Sequence, residues 1–238
     1  AFFSSLLFLA RGPLSRPPVL SALHIDVRQG ASLALGHDGH QMLDIVNLSC
    51  VRGDRHLFKS VDLSLTSGEC VHLEGHNGAG KTSLLRIACG LSVPEAGQVL
   101  WRGEPIRSSD TFRTELLYLG HQLALKEDFS ALENLQLHAR ITADQALDRE
   151  QARQALWQMG LRGKESLPVR VLSQGQKRRA ALARLLCSTQ SLWILDEPLV
   201  ALDSMAQQVV CKLLGQHLGQ GGLVLMTSHQ PLALDGVA

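Results

Sequence analysis

The sequence predicts an α/β fold arranged around a phosphate-binding loop, with antiparallel strands before the loop and helices after it. Three observations carry that prediction. Gly75-His76-Asn77-Gly78-Ala79-Gly80-Lys81-Thr82 fits the pattern G-x-x-x-x-G-K-[ST]. Glu69 to Glu74 alternate apolar and polar as a half-buried strand does, while Leu84, Leu85, Ile87, Ala88 and Leu91 recur at helical spacing. Further on, Leu192-Trp193-Ile194-Leu195 is a compact apolar strand ending in two acids, Asp196 and Glu197.

The order strand, glycine loop, helix has a chemical meaning. The N–H groups of the loop and the positive end of the helix dipole converge on one point, which stabilises phosphate. Gly75, Gly78 and Gly80 let the backbone approach without a Cβ in the way. Lys81 can reach terminal phosphates, and Thr82 offers a hydroxyl to Mg²⁺.

At 238 residues the chain suffices for one large domain or two small ones, and its net charge of +1 calls for neither nucleic acid nor a membrane surface. Five scattered cysteines, none in C-x-x-C spacing, read as reduced and mostly buried, which argues against a disulfide framework or a zinc site. No apolar run approaches the roughly 20 residues that span a bilayer. Any work at a membrane would depend on partners.

Residues 1–41 differ from the rest. A short apolar run, Phe2 to Ala10, leads into Arg11, Pro13, Pro17 and Pro18, and the first methionine is Met42. This segment is expected to lie outside the functional domain, which is assigned to residues 42–238, with His37 and His40 solvated. Leu43 to Leu65 predicts two or three antiparallel strands around a turn at Arg52-Gly53-Asp54-Arg55. After the loop helix, Pro94 to Gly97 breaks the pattern and Gln98 to Trp101 resumes as a strand. Leu116 to Gly120 predicts a strand that delivers His121 and Gln122. Ser130-Ala131-Leu132-Glu133 is a capping box opening a helix to about Ile141. Ala152, Ala155, Leu156 and Met159 predict a second helix ending at Gly160. A third runs from the Ser173 region through Leu186, and Leu223 to Met226 predicts a last strand ending at Thr227-Ser228-His229.

An apolar strand that ends in two acids beside a phosphate loop can divide two tasks. Asp196 can bind Mg²⁺ directly or through its water, and Glu197, one residue further out, is free to polarise an attacking water. Read locally, Ser173-Gln174-Gly175-Gln176 is a Ser cap opening a helix whose N-terminus could bind an anion. With the loop and the acid pair, in this order and spacing, the sequence resembles the ATP-binding cassette family from Leu43 to about Leu232. The resemblance implies a P-loop NTPase of the ABC ATPase type: a mixed β core, an antiparallel β subdomain and an α-helical subdomain over about residues 121–186.

It also implies roles. Gln122 lies where the Q-loop glutamine does and completes a Mg²⁺ set with Thr82 and Asp196; Gly75 to Ser83 would hold ATP. Ala201-Leu202-Asp203 resembles the D-loop, and His229 matches the switch histidine. With Gln122 and His229, Glu197 makes up the expected catalytic set. Family members work as head-to-tail pairs, so a homodimer is expected, with Ser173 to Gln176 of one subunit facing ATP on the other. Two positions depart from the pattern. Arg52 stands where an aromatic commonly packs on adenine, and Gln174 stands where glycine is commonest.

Tyr118 to Gln122, Leu132-Glu133-Asn134-Leu135, Leu192 to Pro198, and Gly221 through Leu232 resemble the phrasing of the ATP-binding subunits of the haem-exporter system of cytochrome c maturation. That resemblance implies an ATPase on the cytoplasmic face of the bacterial inner membrane, peripheral, paired with integral membrane transporter subunits and powering haem export or haem-chaperone release. The alternatives are another small exporter ATPase or, in a different class, a soluble P-loop kinase or a non-hydrolysing nucleotide-binding module, the last disfavoured by the joint presence of Lys81, Asp196, Glu197 and His229. The ending soon after His229 reads as a slightly clipped C-terminus. A soluble P-loop kinase has no use for Leu172 to Gln176. A DNA-repair cassette needs a long coiled coil between Lys81 and Ser173, and a translation-factor cassette needs two copies.

Overall fold

The computed structural model describes residues 23–29, 42–143 and 146–228. His37, His40 and His229, and with them most of the 1–41 segment and the C-terminal end, lie outside the described residues.

Two sheets form the frame. An antiparallel sheet has the order β3-β2-β5-β6, from β2 (Leu43–Arg52), β3 (Arg55–Leu65), β5 (Ala96–Trp101) and β6 (Glu104–Pro105). Gly53 and Asp54 make the β2–β3 turn where it was predicted. A second sheet has the order β1-β4-β9-β8-β7, from β1 (Leu23–Gln29), β4 (Glu69–Gly75), β7 (Leu116–Leu119), β8 (Leu192–Asp196) and β9 (Leu223–Thr227). Strands β4, β9, β8 and β7 run parallel, and β1 closes the edge antiparallel to β4.

Strand β1 falls in the segment expected to lie outside the domain, yet it pairs along the whole of β4, with Leu23 opposite Gly75 and Gln29 opposite Glu69. The physical reason is the open edge. Without a neighbour on that side, β4 would present unpaired backbone N–H and C=O groups.

Strand β4 also differs from the half-buried strand that its alternation predicts, because Cys70, Val71, His72 and Leu73 are all buried. Cys70 packs into a core shared with the helices, and Val71 and Leu73 into the core under the antiparallel sheet. A parallel sheet covered on both faces buries successive residues. The polar His72 is accommodated because its Nε2 donates to the Ser228 carbonyl at 3.0 Å. The same two-sided cover explains the apolar run of β8: Trp193 and Leu195 enter the helical core, Leu192 and Ile194 the other.

The helices are α1 (Lys81–Ala88), α2 (Asp110–Glu115), α3 (Ala131–Ala143), α4 (Arg149–Gln158), α5 (Gln174–Leu186) and α6 (Ser204–Gly219). The predicted capping box opens α3, where Ser130 Oγ accepts from Glu133 N at 3.1 Å and Glu133 Oε2 accepts from Ser130 N at 2.8 Å. Helices α3, α4 and α5 pack on one another over the sheet. Met159 is buried beside Gly160, as expected of a core residue. Helix α6 has no counterpart in the sequence reading. It buries Ala206, Val210, Leu214 and Leu218, a stripe four residues apart. The five cysteines are free thiols.

Candidate functional site

Strand β4 ends at Gly75 and α1 begins at Lys81, so residues 76–80 form the loop. Gly80 caps α1 at φ 98, in the left-handed region that favours glycine. A Cβ there would stand 3.0 Å from Leu57 Cβ and Phe58 Cδ1, so the start of β3 closes on the loop from one side. Lys81 is 7% exposed and its Nζ donates to Gly75 O at 2.5 Å and His76 O at 3.3 Å, folding the ammonium back across the loop. His76, Asn77, Gly78 and Thr82 face solvent, Ala79 is buried, and Ser83 is half-buried.

The acids arrive from the adjoining β8. Thr82 Oγ1 donates to Asp196 Oδ2 at 3.0 Å, and Asp196 is 3% exposed. A hydroxyl and a carboxylate oxygen at that separation are hard oxygen donors suited to Mg²⁺. Glu197 follows at φ 51, a left-handed conformation rare for a residue with a side chain. Beside the acids, Tyr118 has its pKa pushed up to about 12 by burial, with Cys89 and Asp196 adding to the effect.

Ser173 caps α5 in a capping box of its own: Oγ accepts from Gln176 N at 3.3 Å, and Gln176 Oε1 accepts from Ser173 N at 3.1 Å. Ser173 and Gln174 are exposed and Gly175 and Gln176 partly so. Gln174, the departure from glycine, turns into an open groove of about 780 Å³ that Thr82, Gln122 and Lys177 also line. Asp203 sits apart, as the cap of α6, accepting from Ala206 N at 2.9 Å.

The ABC transporter family matches residues 58–200, a span that includes the loop, the acid pair and the Ser173 helix. The chain belongs to the ABC transporter family. It is 52% identical over 79% of its length to the cytochrome c biogenesis ATP-binding export protein CcmA of Dechloromonas aromatica, covering 93% of that protein. It is 47% identical over 83% of its length to the corresponding CcmA of Nitrosomonas europaea, covering 92%. Among solved structures it is similar to a dimeric post-hydrolysis state of the ATP-binding cassette MJ0796 bound to ADP and Pi. That likeness has a TM-score of 0.66 at 25% identity and covers 79% of this chain and 88% of that one.

An ABC ATPase binds and hydrolyses ATP, and this cassette has two further residues at its acid pair that sequence reasoning passed over. Thr227, fully buried at the end of β9, donates from Oγ1 to Asp196 Oδ1 at 2.8 Å and accepts from Glu197 N at 2.9 Å. Nothing in a strand-end threonine signals that bridge. Arg178 of α5 is 8% exposed, and its Nη2 donates to the carbonyls of Asp196, at 3.1 Å, and Glu197. Burial lowers the Arg178 pKa, opposed by Asp196 and Glu197. Its signal was present in the spacing: Arg178 lies on the buried stripe with Ala181, Leu182 and Leu185, between the partly exposed Lys177 and Arg179.

Proposed function

We propose that this ABC ATPase is the ATP-hydrolysing subunit of a transporter complex that powers haem export, or release of a haem-loaded chaperone, in cytochrome c maturation. The observation that carries the hydrolytic part is the 3.0 Å contact between Thr82 and Asp196 with Glu197 next in the chain. The names of the relatives support the finer part.

Loop N–H groups from Gly75 to Ser83 and the α1 dipole hold the phosphates, and Lys81 swings from its backbone carbonyls to the γ-phosphoryl oxygens. Thr82, Asp196 and Gln122 would hold Mg²⁺, which when bound would supply Lewis-acid stabilisation of charge on the phosphoryl oxygens. Glu197 orients and polarises the attacking water, and His229 and Gln122 sense the γ-phosphate. Ser173 and Gly175, at the N-terminus of α5, present donors to ATP on a second copy, so two copies close head-to-tail around nucleotide. Closure and reopening are the output delivered to integral membrane subunits. The proposed place is peripheral, on the cytoplasmic face of the bacterial inner membrane, a reading that the relatives' naming as ATP-binding export proteins supports. No helix among the described residues is long and apolar enough to cross a bilayer. The functional domain in this reading spans residues 42–238, with its helical subdomain over about 121–186.

The test has two readouts. The full chain should turn ATP over slowly, and Glu197→Gln should abolish turnover and trap an ATP-dependent dimer. In a bacterium lacking its own relative, the parent should restore holo-cytochrome c and the Glu197→Gln variant should not. A Glu197→Gln chain that stays monomeric and hydrolyses at the parental rate refutes the sandwich. Normal turnover without rescue refutes the haem system and favours another small exporter.

A further inference from the structure

The segment from Asp196 to Asp203 carries two non-glycine residues in the left-handed region, Glu197 at φ 51 and Ala201 at φ 61. Such backbone persists only where the surroundings impose it. On the sheet side, the register of β8 with β9 ends at Asp196 opposite Thr227, and Thr227 takes the Glu197 N–H. The carbonyls of Asp196 and Glu197 turn out of that ladder, and both are met by one nitrogen, Arg178 Nη2. A close backbone approach and an ion pair also join α5 to the same segment. The position of a Cβ on Gly175 is 3.2 Å from Ala201 O, and Arg179 Nη1 lies 3.6 Å from Asp203 Oδ2.

We propose that Arg178 is a positioning residue for hydrolysis: from the helix that Ser173 caps, its guanidinium fixes the left-handed backbone of Glu197 and so the direction in which that side chain leaves the strand. The proposal rests on the reading of Glu197 as the group that polarises water. A guanidinium suits the task because one planar nitrogen offers two hydrogens to two acceptors. The consequence is a rigid link within one subunit. The helix whose first turn faces the partner's nucleotide also holds the support of its own catalytic acid, so a shift of α5 on closure is felt at Glu197.

The test compares Arg178→Met, which keeps the stem and removes the donors, with Arg178→Lys, which keeps a donor. For each, kcat is measured beside the Kd of a non-hydrolysable ATP analogue and the thermal midpoint. Arg178→Met should lower kcat by roughly tenfold to 100-fold, as a misplaced catalytic group does, while the analogue Kd stays within about twofold. Arg178→Lys should recover part of the lost kcat. A parental kcat in Arg178→Met overturns the proposal, as does a Kd that weakens in step with kcat. If Arg178→Met does not fold, Arg178→Gln is read by the same criteria, and failure of both makes Arg178 a folding residue and overturns the proposal. Glu197→Gln run in parallel separates the two readings: parental turnover there faults the assignment of Glu197 itself, whereas an inactive Glu197→Gln with an unaffected Arg178→Met faults only the positioning role.

Discussion

The Thr227 hydroxyl donates to Asp196 Oδ1 at 2.8 Å, on the opposite oxygen from the one that Thr82 engages at 3.0 Å. The carboxylate is therefore held from both sides, and the same Thr227 oxygen accepts the Glu197 N–H. Thr227→Val keeps the β-branched shape and strips the hydroxyl from a fully buried site, leaving Asp196 Oδ1 short of a donor while the Glu197 N–H keeps the Thr227 carbonyl at 3.2 Å. The expected loss of stability is about 1–3 kcal/mol. Because the two acids lose a shared anchor, ATP turnover should fall further than ATP binding, whereas Thr227→Ser should hold both. Chemical denaturation and steady-state kinetics on the two variants check this; equal losses of kcat and affinity in Thr227→Val would make the bridge purely structural.

At the far end of the same sheet, Trp193 of β8 and His217 of α6 stack with ring centroids 3.8 Å apart and planes 5° from parallel. Gly222 makes the room, since a Cβ there would lie 2.3 Å from the His217 ring. Burial pushes the His217 pKa down to about 4, opposed by backbone at Leu223 and Ser191. Burial, then Arg184, does the same to His138, also to about 4. Both folded values lie below the unfolded value near 6.5. The unfolded chain therefore binds more protons in this range, and the stability from the neutral rings is fully present above pH 6.5 and lost as pH falls towards 4. Urea midpoints should drop between pH 6.5 and 4. His217→Phe, which keeps a ring against Trp193, should drop less over the same interval than the parent; an identical pH dependence would remove His217 as a contributor.

Those two sites show where the sequence was legible. Gly75 to Thr82 and Asp196-Glu197 stand out in the sequence because phosphate binding and metal binding each demand particular residue types at fixed spacing; of that reading the fold shows the contact between Thr82 and Asp196. The Ser130 and Ser173 helix starts could be read because capping is local chemistry. The spacing marks Arg178 as buried, but neither its contacts nor those of Thr227 could be assigned, since their partners lie 18 and 31 residues away and the contacts exist only once α5 and β9 pack beside β8. Burial of His72 escaped for a similar reason: alternation reports one covered face, and β4 has two. Strand β1 pairs with β4 across separations that run from Gln29–Glu69 to the longer Leu23–Gly75, contacts that composition at residues 1–41 does not advertise.

Ser173 carries two duties that one pair of substitutions can separate. Its hydroxyl caps α5, and in the proposed sandwich it also faces ATP on the partner. Ser173→Ala removes both, with an expected cost of about 1 kcal/mol from the lost cap. That corresponds to a fall in thermal midpoint of roughly 2–4 °C for a domain of this size. Ser173→Asp restores a capping acceptor for the Gln176 N–H and adds negative charge at the helix N-terminus, which the dipole favours. The same charge repels a nucleotide phosphate brought to that turn by a second copy. Ser173→Asp should therefore match the parent in thermal midpoint and ATP affinity of the monomer, yet fail to form the ATP-dependent dimer when combined with Glu197→Gln. Size-exclusion chromatography with and without ATP reads the outcome. A Ser173→Asp, Glu197→Gln chain that dimerises as readily as Glu197→Gln alone would confine Ser173 to capping and remove it from the nucleotide interface.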